Sequence, residues 1–193
     1  MSIRVETWGT TRDGQQVKRY ILENEKGMQA VVLNLGAVLA ELHVPDRSGA
    51  LRDVVWGYDS VEGYEVNGPD LGAVVGRNAN RIGGAVITID GQDYVLAKNS
   101  GENNLHSGPD MYFTRMWKAM IVDDNKVEFS LHSPDGDQGY PGNADITVSY
   151  TLTDDNELQL AYEGKADKDT IFNLTNHSYF NLDGQESDSV LEQ

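Results

Sequence analysis

Apolar positions in this chain come in short bursts separated by turn residues, and they nowhere keep the 3.6-residue spacing of a helix over 11 residues. Residues 18 to 24 and 28 to 45 are apolar runs broken at Gly27 and Gly36. The second run is stopped by Pro45 and the turn-prone Asp46-Arg47-Ser48-Gly49, so both predict strands and turns. Residues 53 to 57 predict another short strand. Residues 58 to 72, rich in Gly and Pro without an apolar stripe, predict a long loop with room for one helical turn. Three hairpins follow: Ile87-Thr88-Ile89 and Tyr94-Val95-Leu96 flank Asp90-Gly91, Met120-Ile121-Val122 and Val127-Glu128-Phe129 flank Asp123-Asp124-Asn125, and Asp154-Asp155-Asn156 joins a third pair. In that third pair Ile146, Val148, Tyr150 and Leu152 alternate on one side of the turn and Leu158, Leu160 and Tyr162 on the other. Period two means one buried face. Many short strands at hairpin spacing predict an all-β sandwich or barrel, read as a single domain over residues 1 to 193.

Composition narrows what such a fold would handle. A chain of 193 residues with 39% hydrophobic content can bury a core, and its net charge of -16 argues against a nucleic-acid or anionic-membrane surface, which needs clustered Lys and Arg. A small neutral ligand fits better. With no Cys, disulfides, thiolate nucleophiles and zinc-thiolate sites are excluded. The start, MSIRVETWGT, is charged where a signal peptide is apolar, and no 18 apolar residues run together, so the expectation is a soluble cytoplasmic protein.

The chemistry concentrates in residues 171 to 182, IFNLTNHSYFNL, where β-forming residues alternate irregularly with Asn173, Thr175, Asn176, His177, Ser178 and Asn181. Polar side chains in such a run need partners, from backbone or from a polar ligand. His177 suits a general acid or base, since a free imidazole titrates near ~6.5; the competing reading is a histidine bonded to neighbouring backbone. The Asn-x-Ser/Thr patterns at Asn173 and Asn176 sit in strand-like context, which disfavours glycosylation.

Two further segments carry candidates. In GAVVGRNANR, residues 72 to 81, the glycines lack phosphate-cradle spacing, while Arg77 and Arg81 each call for a carboxylate or a set of ligand oxygens. Residues 103 to 108, Asn103-Asn104-Leu105-His106-Ser107-Gly108, read as a polar loop at the rim of a sheet. SPDGDQGYPG, residues 133 to 142, reads as a structural turn-rich loop, and His43 and His132 fall in strand-like runs as structural residues. No HxH or HExxH spacing occurs, so no metal site is expected.

Taken together, NLTNHSYFNL, GRNANRI and NNLHSG resemble the motifs of the aldose 1-epimerases, the galactose mutarotases, over roughly residues 20 to 193. The resemblance implies a large antiparallel β-sandwich that needs no cofactor and interconverts the α and β anomers of free hexoses, galactose and glucose especially. It implies His177 as general acid, Arg81 and His106 as substrate-binding residues, and Asn80 as a second contact beside Arg81. Ser107 departs from the family pattern, where a Gly is usual. The resemblance also places the family's general-base Glu and a sugar-binding Asp beyond the His motif, which makes this chain the N-terminal portion of such a domain, ending before its base; the closing SDSVLEQ reads as the approach to another strand. Glu102, Asp110, Asp135 and Asp137 stand as base candidates that spacing does not separate. Tyr179, Tyr112 or Trp117 could offer an aromatic platform, with core packing the competing role. Two other functions fit the same fold: a carbohydrate-binding or sensing module without chemistry, and a hexose-6-phosphate 1-epimerase, for which Arg77 is the one spare phosphate ligand.

Overall fold

The computed structural model describes residues 1–187 and 189–191. A five-stranded antiparallel sheet comes first, β1 (Ser2–Thr10), β2 (Gln16–Glu23), β3 (Gln29–Leu33), β4 (Leu39–Pro45) and β5 (Leu51–Asp53), paired in chain order. A short helix, α1 (Val61–Val66), is followed by β6 (Val74–Val75), β7 (Arg81–Ile82), the hairpin β8 (Val86–Ile89) and β9 (Gln92–Val95), and β10 (Asn104–Leu105). A four-stranded antiparallel sheet, β11 (Lys118–Asp123), β12 (Lys126–Ser133), β13 (Ala144–Leu152) and β14 (Leu158–Ala166), precedes the last strand, β15 (Thr175–Asn176). All three expected hairpins form. In the first, Asp90 and Gly91 both take positive φ, as a two-residue primed turn requires.

The two larger sheets pack face to face. Tyr20, Leu22, Ala30 and Val32 from the first meet Val127, Phe129, Ile146 and Val148 from the second in one core, where the Tyr20 and Phe129 rings meet edge to face at 5.3 Å. The first sheet is buried on its other side as well: Leu33, Val38 and Ala40 pack against Val61 and Tyr64 of α1 and against Ala73, Val75 and Phe113. This double burial is why β3 reads QAVVL without alternation, since a strand covered on both faces has no solvent side to mark. By contrast, β14 alternates half-buried and exposed positions, as a strand with one wet face does.

Two elements differ from the sequence reading. The strand expected at 53 to 57 lies instead at 51 to 53, because Asp53 Oδ1 accepts the backbone N–H of both Leu42 and Val55 and interrupts the regular ladder, with Val54 N–H still donating to Leu42 O. Val55 then bridges Phe180. β1 carries no clean apolar alternation, and its existence is decided by its long antiparallel register with β2, from Ser2↔Glu23 to Thr10↔Gln16. The further strand expected near the end of the chain falls partly on Asp188, Glu192 and Gln193, which lie outside the described residues.

Candidate active site

The three polar motifs, far apart in sequence, lie side by side in space. Residues 72 to 79 and 173 to 177 are zipped by backbone hydrogen bonds: Gly72 N–H to His177 O at 3.2 Å, His177 N–H to Ala73 O at 2.8 Å, Asn173 N–H to Arg77 O at 2.9 Å and Ala79 N–H to Asn173 O at 2.7 Å, with β6 and β15 paired between them. The Asn side chains lock this seam. Asn176 Nδ2 donates to Gly72 O at 3.0 Å, and Asn173 Nδ2 to Ala79 O at 3.2 Å. Two of the polar residues that look anomalous in a strand, Asn173 and Asn176, therefore serve backbone groups.

On the other flank, β7 pairs with β10 so that Arg81 faces Leu105, and His106 N–H donates to Asn80 O at 3.2 Å. His106 and His177 meet with ring centroids 5.4 Å apart, edge to face, and Tyr179 lies 5.1 Å from His177. Asn80, His106 and Ser107 all adopt positive φ, which puts three strained residues at this junction. Ser107, where the family pattern has Gly, is fully buried: its Oγ accepts Asn78 N–H at 2.9 Å, donates to Asn78 O at 3.0 Å and lies 3.0 Å from the Tyr140 hydroxyl. The departure thus adds a bracket under His106 in place of a flexible hinge.

The His106 imidazole has a defined tautomer. Asn80 N–H donates to its Nδ1 at 3.0 Å, so in the neutral ring the proton sits on Nε2 and points into the site. Burial holds its pKa below the usual histidine range, against an opposing pull from Asp70 and with Arg81 and His177 adding repulsion. His106 is therefore a neutral N–H donor near pH ~7.

Asp70 is the residue that sequence reasoning missed. It stands two positions before the GAVVGRNANR run, in a loop tied by Asn67, whose side chain bonds both the N–H and the C=O of Leu71. Its Oδ2 lies 3.9 Å from His106 Nε2, with both side chains mostly buried. Burial raises the Asp70 pKa, outweighing the attraction of the two histidines. No spacing signal marks it; only its adjacency to the motif could have drawn attention.

Donor atoms of Asp70, His106 and His177 lie within 4.8 Å of one another, which is within reach of a shared metal ion. The tautomer argues against that use, because a metal on Nε2 would require a proton on Nδ1, facing the Asn80 N–H that already points there. The trio is arranged to donate and accept hydrogen bonds.

The remaining candidates sort by their partners. Arg81 is exposed, with Nε 3.4 Å from Ser100 Oγ, and its guanidinium is near enough to depress the His106 pKa. Asn80 Oδ1 accepts the Arg81 N–H at 2.8 Å. Arg77 is fully buried, its guanidinium bonded to Pro141 O, Ser133 O, Ser133 Oγ and Thr170 Oγ1, so it is withdrawn from any phosphate. The four carboxylates considered as bases are each held by a cation: Glu102 by Lys98 at 2.6 Å, Asp110 by Arg115 at 2.9 Å, Asp137 by Arg115 at 2.7 Å and Asp135 by Lys168 at 2.7 Å. Tyr112 and Trp117 are core residues, joined by Trp117 Nε1–H to Tyr112 O; Tyr179 is the exposed ring of the three. His43 and His132 lie outside the cluster, paired with Glu41 and Asp145.

Comparison with known proteins identifies the family and fold. A family model described as aldose 1-epimerase matches residues 18–193. The chain is 42% identical to the aldose 1-epimerase of Escherichia coli K12 over 95% of its own length and 53% of that protein, and 43% identical to the galactose mutarotase of Bos taurus over 91% and 51%. Among solved structures, a galactose 1-epimerase from Lactobacillus acidophilus superposes with a TM-score of 0.83 at 30% identity, covering 94% of this chain and 54% of that one. A GalM/aldose epimerase homologue from C. elegans gives 0.81 at 37%, covering 85% and 50%. The chain spans about half the length of the curated relatives it matches.

Proposed function

Because the chain belongs to the aldose 1-epimerase family, we propose that its motif cluster is the acid and binding side of a mutarotase site, acting on a free hexose in the cytoplasm. The carrying observation is the convergence of His106 and His177, 5.4 Å apart, with His106 fixed as an Nε2–H donor. In this reading His177 gives its proton to the ring oxygen while a base takes the proton from the anomeric hydroxyl. The C1–O5 bond breaks as the C1 carbonyl forms, C1–C2 rotates, and reclosure on the other face returns both protons. A positioned acid contributes about 10²–10⁴ in rate. His106 and Arg81 hold hydroxyl oxygens, with Asn80 fixing the turn that presents Arg81, so the open-chain aldehyde stays bound while it rotates. Galactose or glucose is the expected substrate class, and no nucleic-acid or membrane partner is invoked.

The base is assigned to the part of the fold that the longer relatives have and residues 1–193 do not span, since the four carboxylates first considered are committed to Lys or Arg. The withdrawal of Arg77 into the core favours free sugar over sugar phosphate. The test is polarimetry on freshly dissolved α-galactose, with this chain alone and fused to the C-terminal half of the Escherichia coli relative. The fused protein should accelerate the decay over buffer and lose that acceleration on His177→Asn. A folded fusion whose acceleration survives His177→Asn would refute the role of His177, and a folded fusion without acceleration would refute the enzymatic reading in favour of a binding module.

A further inference from the structure

A cavity of about 680 Å³ lies apart from the histidine cluster, against β4 and β5, and none of the three motifs lines it. Its wall holds a second preassembled group. Glu41 and His43 are two apart on β4 and so share a face, and Asp53 on β5 is the direct cross-strand partner of His43. The donor atoms of all three lie within 4.8 Å of one another, and His43 Nε2 is already 2.7 Å from Glu41 Oε2. We infer that Glu41, His43 and Asp53 form a binding site for a borderline divalent cation of the Zn²⁺ type, open to water on the cavity side.

Geometry and charge both favour a cation. Zn²⁺ holds imidazole nitrogen and carboxylate oxygen at about 2.0–2.2 Å, so neighbouring donors sit roughly 3.3 Å apart. The observed separations bracket that value, from 2.7 Å to at most 4.8 Å, and side-chain rotation closes the difference. One imidazole with two carboxylates suits a borderline ion better than Mg²⁺ or Ca²⁺, which take oxygen alone.

The cavity wall carries five carboxylates, Glu41, Asp53, Asp59, Asp183 and Glu186, against Arg19, Arg52 and His43. Both guanidinium groups have carboxylates of their own: Arg19 pairs with Glu6 at 2.7 Å and reaches Glu41 only at 3.9 Å, while Arg52 lies 3.7 Å from Asp46. Among the described residues Asp53 has no ion pair, and it stands directly across the strand pair from His43, with a donor atom within 4.8 Å of those of Glu41 and His43. The metal would replace the proton that His43 shares with Glu41, and would tie β4 to β5 where Asp53 O also anchors Gln185 N–H.

The test is calorimetric titration of the full chain with Zn²⁺, with Co²⁺ absorbance as the reporter of coordination. One strong equivalent per chain is expected, accompanied by proton release and a melting temperature that rises with Zn²⁺ concentration. His43→Gln, Glu41→Gln and Asp53→Asn should each weaken it roughly tenfold or more, with fold checked by circular dichroism; Asn at 53 keeps the Oδ1 acceptor for Leu42 and Val55. His106→Asn should leave it unchanged. No strong equivalent in the folded wild-type chain would overturn the inference, as would binding that survives His43→Gln and Glu41→Gln, or that is lost on His106→Asn.

Discussion

Replacing Ser107 by Ala probes whether the loop that presents His106 is held by a buried hydroxyl. Ser107 Oγ serves Asn78 N–H, Asn78 O and the Tyr140 hydroxyl at 2.9, 3.0 and 3.0 Å, in a fully buried position. Each such bond is worth about 1 kcal/mol net, and leaving a buried partner unsatisfied costs about 1–3 kcal/mol. Ser107→Ala should therefore destabilise the chain by about 2–4 kcal/mol. In a chain of this size that lowers the melting temperature by roughly 5–12 °C. Ser107→Gly loses the same bonds but relieves the positive φ, so it should be more stable than Ser107→Ala by about 0.5–1 kcal/mol. Thermal and urea melts of the three proteins measure both differences, and the His106 imidazole resonances should shift in both variants. A Ser107→Ala melt within about 2 °C of wild type, or a Gly variant less stable than the Ala variant, would refute the bracket.

Three further outcomes follow from the same geometry. The His43 pKa is raised, chiefly by its hydrogen bond to Glu41, so that bond stabilises fully below the unfolded value and fades as pH climbs through the raised one. In EDTA, His43→Gln should cost about 0.5–1 kcal/mol in melts near pH ~6 and close to nothing near pH ~9. Asp70 shows the same direction of pH dependence for a different reason: its pKa is raised by burial, so the charged form that appears above that pKa is a liability. Asp70→Asn should equal or exceed wild-type stability near pH ~7 and lose that advantage in melts at acid pH, where wild-type Asp70 is itself neutral. Gly72→Ala should destabilise by more than about 2 kcal/mol in urea melts, because Gly72 has φ +63° and an added Cβ would strike the carbonyl oxygen of Leu39. It should also broaden the His177 amide resonance, since the His177 N–H donates to the carbonyl of Ala73, the residue next to Gly72.

Local pattern made much of the fold readable. The hairpins at Asp90-Gly91, Asp123 to Asn125 and Asp154 to Asn156 follow from turn chemistry and period-two alternation, both of which act over a few residues. β1 was not readable, because its stability comes from pairing with β2 and not from an apolar face of its own. The early end of β5 depended on Asp53 capping two backbone amides, one of them 11 residues away.

For the site, the residue types in NLTNHSYFNL, GRNANR and NNLHSG marked where polar groups in strand-like context need partners, and the family resemblance those motifs carry nominated His177, His106, Arg81 and Asn80. Which groups were already satisfied within the fold was a matter of distances across the chain. Arg77 and Arg81 are equivalent in the sequence pattern, yet one is buried against carbonyl oxygens of residues 133 and 141 and the other is exposed beside Ser100. Asp70 and the Glu41–His43–Asp53 group likewise carry no motif; sheet register and burial bring them together. Residue order determines local pattern, but the proximity, burial and tautomer that give a side chain its chemistry arise only when strands distant in sequence are packed.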